Sequence, residues 1–76
     1  MKDLLEFLAK SLVDTPEEVQ VNLIEGEQST VLELRVATAD IGKVIGKQGR
    51  IAQALRALMK AASVKHGKRV MLEIIG

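Results

Sequence analysis

Apolar positions along the chain change period several times, and the changes mark out the elements. Leu4, Leu5, Leu8 and Leu12 recur at helical spacing with Asp3, Glu6 and Lys10 between them, which predicts an amphipathic helix from roughly Lys2 to Val13. Pro16 disfavours helix at the residue before it, so Asp14-Thr15-Pro16-Glu17-Glu18 ends that helix. The period then becomes two. Val19, Val21 and Leu23 alternate with Gln20, Asn22 and Ile24, and Leu32, Leu34 and Val36 alternate with Glu33, Arg35 and Ala37. These are two strands, and the stretch from Glu25 to Thr30, with Gly26 inside it, makes them a hairpin with a loop of several residues. Ala39 to Arg50 reads as a short helix broken by a tight turn. From Ile51 a longer helix is clear, with Ile51, Leu55, Leu58, Met59 and Ala62 on one face and an alanine-rich composition that favours helix. His66-Gly67 ends it, Gly67 being suited to a left-handed C-terminal cap. Val70, Leu72 and Ile74 alternate with Met71, Glu73 and Ile75 in a last strand.

The order is therefore αββααβ. It predicts one α+β domain over residues 1–76, with a three-stranded sheet and three helices packed on one face. The outward side of that sheet would carry Val31, Met71 and Ile75 beside Glu33, Arg35 and Glu73. Periodicity leaves the strand pairing open.

Composition narrows the chemistry. With 76 residues and 47% apolar content there is room for one core and at most a shallow site. Cysteine is absent, which removes disulfides and thiolate metal sites. The N-terminus does not read as a signal peptide, and no stretch approaches a membrane span; a soluble cytoplasmic protein is the expectation. Catalysis is not expected. Ser11, Ser29 and Ser63 have no base and acid arranged around them, and the single His66 reads as a cap or solvent-facing residue. No cluster of ligands suggests a metal, and no cofactor is implied.

The net charge of +1 conceals a division. Residues 1–33 sum to −6, and residues 34–76 sum to +7. A basic half suggests a face for a polyanion. Mutual neutralisation of the two halves is the plainer alternative.

The basic half contains three glycines within eight positions, in Ile41-Gly42-Lys43-Val44-Ile45-Gly46-Lys47-Gln48-Gly49-Arg50-Ile51. Glycine is unfavourable in a helix, so its use here needs a reason. Without side chains at Gly46 and Gly49 a phosphate backbone can approach the peptide planes, and the amides opening the next helix face the anion. A nucleotide P-loop is a poor match. Gly42 and Gly46 stand too close together, and Gln48 follows Lys47 where a hydroxyl is needed. A dinucleotide fingerprint lacks its Gly-x-Gly start.

Two glycines two residues apart, joining two helices after a hairpin, is the KH pattern. Val44-Ile45-Gly46-Lys47-Gln48-Gly49-Arg50-Ile51 resembles it closely. The element order is similar to the type II arrangement, and the length resembles the short bacterial proteins made of a single KH domain. That resemblance covers essentially the whole chain. It implies cytoplasmic RNA-binding proteins described as RNA chaperones, which act as homodimers or with a larger KH-containing partner and influence cell-wall synthesis and cell shape. It also implies roles for residues. Gly46, Lys47, Gln48 and Gly49 would clamp the backbone of single-stranded RNA. Ile41, Val44 and Ile45 would help floor the groove for bases, at least one of them being core. Arg50 and Lys43 would reach phosphates. Lys65-His66-Gly67-Lys68-Arg69 falls at the variable loop, where Lys68 and Arg69 would add charge. Arg56 and Lys60 read as solvated helix surface.

Phe7 is the only aromatic residue, which argues against RNA folds that stack bases on aromatic platforms. Two alternatives remain at this level. One is a protein-interaction module that pairs through its sheet or first helix. The other is binding of single-stranded DNA in the same groove.

Overall fold

A computed structural model describes residues 2–64, Gly67 and residues 69–76. The elements are α1 (Lys2–Leu12), β1 (Gln20–Glu25), β2 (Ser29–Arg35), α2 (Ile41–Ile45), α3 (Arg50–Ser63) and β3 (Arg69–Ile75). Single 3-10 turns at Pro16–Glu18, Thr38–Asp40 and Lys47–Gly49 join them. The fold is the type II KH arrangement inferred from the sequence.

The sheet order is β1-β2-β3. β1 and β2 form the antiparallel hairpin, with Val21 opposite Leu34 and Ile24 opposite Val31. Its turn is tighter than the sequence implied, because Gly26 donates its N–H to the carbonyl of Ser29 at 2.7 Å and both strands run on almost to the turn. β3 lies parallel to β2, pairing Val31 with Met71 and Glu33 with Glu73. A parallel pair cannot be joined by a hairpin. The connection here is α2, the glycine turn and α3.

Alternation along β2 decides which side of the sheet is inside. Thr30, Leu32 and Leu34 are buried, while Ser29, Val31 and Glu33 are half-buried and Arg35 is exposed. Leu32 and Leu34 meet Leu5 and Ala9 of α1, Val44 of α2, and Leu55 and Met59 of α3 in one core. All three helices therefore cover one face, and the other face is open.

Three details of the helical and strand faces differ from the sequence reading. In α1 the residues wholly buried are Leu5 and Ala9, whereas Leu4 is 43% exposed. A small residue at position 9 lets the helix backbone approach the sheet, which turns Leu4 toward its flank. In α3 Ala52 is buried in the same way and Leu58 is left exposed at the edge of the apolar face. Leu23 is also exposed: β1 is an edge strand, and the helical cover reaches Val21 but not Leu23.

Candidate nucleic-acid interface

Two contacts between distant parts of the chain hold the base of the glycine turn. Asp40, buried at the start of α2, accepts the backbone N–H of Thr15 at 3.0 Å. Lys43, one turn later, donates to the carboxylate of Asp14. This hydrogen bond raises the Lys43 pKa above its ordinary value, with the charge of Asp14 adding to it. The end of α1 and the start of α2 are thus tied together, and Lys43 is drawn toward Asp14.

At the end of α2, Gly46 donates its N–H to the carbonyl of Gly42 at 2.9 Å, then turns the chain with φ +76°. Gln48 has φ +57° and Gly49 has φ +74°, both left-handed, and Gly49 N–H closes the turn on the carbonyl of Gly46 at 3.2 Å. Left-handed backbone at a non-glycine residue stores strain, and such strain concentrates at functional positions. α3 starts directly at Arg50.

The glycines serve two purposes. A Cβ on Gly46 would lie 2.5 Å from Cγ1 of Ile51, so the side chain of Ile51 fills the space beside it. A Cβ on Gly49 would meet nothing within 4 Å, so its surroundings stay open to a ligand. Lys47, Gln48 and Arg50 are exposed around that opening, and neither cation is engaged by a carboxylate among the described residues.

The apolar candidates separate. Val44 has no exposed surface and is part of the core, so it supports the turn from below and cannot touch a base. Ile41 is half-buried against the core, and Ile45 is 36% exposed beside the turn. Lys68 lies outside the described residues. Gly67 has a left-handed φ of +66°, but α3 ends earlier than the sequence implied, at Ser63 with its cap at Val64, and His66 lies outside the described residues.

A groove of about 560 Å³ runs between α3 and the outer edge of β3, lined by Arg56, Met59, Lys60, Arg69, Val70, Met71 and Leu72. Its apolar floor and cationic rim match what a strand with bases on one side and phosphates on the other requires. Arg56 and Lys60, read from the sequence as helix surface, both line this groove. The signal was in the spacing: Gly49, Gln53, Arg56 and Lys60 follow each other at four, three and four residues, one stripe along α3 that leads away from the turn.

Comparison with known proteins settles the family. The model of the KhpA/KhpB KH domain matches residues 2–74. The chain belongs to the KhpA/KhpB KH-domain family. Among relatives, the RNA-binding protein KhpA of Clostridium acetobutylicum is 67% identical over 75 residues, covering 99% of this chain and 100% of that protein. The KhpA of Clostridium perfringens is 60% identical with the same coverage, and that of Aquifex aeolicus is 57% identical, covering 99% of this chain and 95% of the relative. Among solved structures, Aquifex aeolicus Era bound to GDP and aluminium fluoride superposes with a TM-score of 0.64 at 20% identity, over 97% of this chain and 29% of that one. That likeness concerns the fold alone.

Among the described residues no group of three His, Cys, Asp or Glu side chains could hold a metal ion. No helix among them is long and apolar enough to cross a membrane.

Proposed function

We infer that this protein binds single-stranded RNA, with Gly46-Lys47-Gln48-Gly49 clamping the sugar-phosphate backbone and the α3–β3 groove receiving bases. The observation that carries this reading is the left-handed turn itself: an open Gly49, exposed Lys47 and Gln48, and the first amides of α3 beside them. On this reading Arg50, exposed at the start of α3, adds charge at the phosphates, and Arg56, Lys60 and Arg69, which line the groove, hold the strand further along. Ile45 and Ile41 form the apolar border near the turn. Lys43 contributes less than these, because its ammonium is committed to Asp14. The RNA-binding names of the relatives support the same reading.

Within it, the family resemblance adds that the protein works in the cytoplasm as an RNA chaperone and post-transcriptional regulator, paired with a second copy or with a larger KH-containing protein, in processes that affect the cell wall and cell shape. A pure interaction module is the second reading, and the exposed Phe7, Ile24 and Met71 favour it.

Fluorescence anisotropy with a short single-stranded RNA, at two salt concentrations, tests the clamp. The native chain should bind in a salt-dependent manner, and the double change Lys47→Asp with Gln48→Asp should abolish binding while circular dichroism stays native. Equal binding by both proteins would reduce the turn to a structural role. The same sequence made as DNA measures discrimination by the sugar.

A further inference from the structure

Of the three cations in the glycine segment, Lys43, Lys47 and Arg50, Lys43 alone has a carboxylate partner among the described residues. It leaves α2 three residues before Gly46, about one helical turn short of the clamp. Beside it a Cβ on Gly42 would meet nothing within 4 Å, so the helix surface next to the lysine is clear. Its partner Asp14 sits on an anchored backbone. Thr15 donates its amide to the buried Asp40 and the chain then enters the turn at Pro16–Glu18, which pins the segment to the start of α2. Asp40 itself adds only a smaller attraction on the lysine. The pair thus joins a fixed carboxylate to an ammonium on a flexible stem, and it is the ammonium that can move. Both side chains are largely exposed, 44% for Lys43 and 75% for Asp14, so little holds them together against a stronger anion.

We propose that Asp14 competes with RNA for Lys43: it holds the ammonium in the free protein, and a phosphate arriving at the turn must take the lysine from it. This rests on the clamp proposed above and adds a residue that sets its strength. The exchange has two consequences. A lysine drawn from Asp14 gains only the difference between two anions, so it tightens binding less than a free lysine at the same place. The ion count changes as well. A free lysine that meets a phosphate releases a counterion, whereas a lysine taken from Asp14 leaves behind a carboxylate that cations from solution must neutralise. Lys43 in the native chain therefore adds little to the dependence of affinity on salt. Asp14 touches no RNA itself; it acts by positioning Lys43.

Anisotropy with one short single-stranded RNA over a series of salt concentrations tests the exchange in four proteins: the native chain, Asp14→Asn, Lys43→Met and the double variant. Asp14→Asn should bind about two- to fivefold more tightly at low salt. Its plot of log affinity against log salt should be steeper by about 0.7, the share of one more phosphate contact. Lys43→Met should cost clearly more affinity in the Asp14→Asn background than in the native one, and should remove the added slope. Circular dichroism of all four should match. Equal losses from Lys43→Met in both backgrounds would mean that Asp14 acts only as a diffuse negative charge, and would overturn the proposal. Unchanged or weaker binding by Asp14→Asn would overturn it too, while leaving the clamp in place as long as the native chain binds and the Lys47→Asp, Gln48→Asp variant does not. A native chain that binds no RNA overturns the clamp and the exchange together.

Discussion

Gly46 and Gly49 share a left-handed φ, yet the structure requires glycine at each for a different reason. At Gly46 any side chain collides with Ile51. At Gly49 the surroundings are empty, and only the backbone conformation objects. Gly49→Ala should therefore destabilise the fold by about 1 kcal/mol in urea unfolding, and on the proposed clamp its methyl would crowd the phosphate, so RNA affinity should fall further than stability. Gly46→Ala should cost more, about 2 kcal/mol or above, because overpacking adds to the backbone term. The order of the two stabilities, measured side by side, checks the assignment. Glycine spacing alone made this turn legible in the sequence. The neighbouring residues were less so. A five-residue helix is too short to fix its phase from periodicity, which is why Val44 and Ile45 could not be sorted into core and surface before the structure did so. The partner of Lys43 lies 29 positions away, beyond any local pattern.

Elements act on one another through such distant contacts. The buried Asp40 satisfies the Thr15 amide and so fixes α1's exit to α2's entry. Asp40→Ala would leave that amide without its acceptor, at about 1–3 kcal/mol in urea unfolding. The companion pair of Lys43 with Asp14 is exposed and should matter little. Its sign is nonetheless defined. The raised lysine pKa contributes stability that is complete below the ordinary 10.5 and is lost as the pH rises through the raised value. Unfolding of Lys43→Met compared with the native chain at alkaline pH should therefore converge. Along α3, Arg56→Ala and Lys60→Ala should each lessen the dependence of log affinity on log salt by about 0.7 if each reaches one phosphate. These two residues were visible as a stripe but read as ordinary surface. A helix shows its own faces in its sequence, and the strand that turns one of them into a groove wall is known only once β3 is placed.

At the scale of the whole molecule a single core serves everything. Leu32 and Leu34 are completely buried in one cluster with residues of all three helices. Leu32→Ala should remove about 2–5 kcal/mol. That is a large part of the stability a domain of 76 residues commands, so thermal denaturation should show a much lower midpoint and RNA binding should disappear with the fold. Layer architecture was legible because alternation in the strands and helical period elsewhere agree on one apolar side. Strand order was not, since it depends on which edge of the hairpin β3 joins.

The parallel pairing has a consequence in time. Each residue of β2 finds its partner in β3 exactly 40 positions later in the chain, and closing so long a loop is entropically slow before any contact rewards it. The hairpin of β1 and β2 can form early, from neighbours. The glycine turn, however, lies inside the crossover, and α3, which follows it, packs against β3 only once that strand has docked. On the proposed clamp, a chain under synthesis carries the residues of the turn before the fold around them is complete, and competence for RNA arrives with β3.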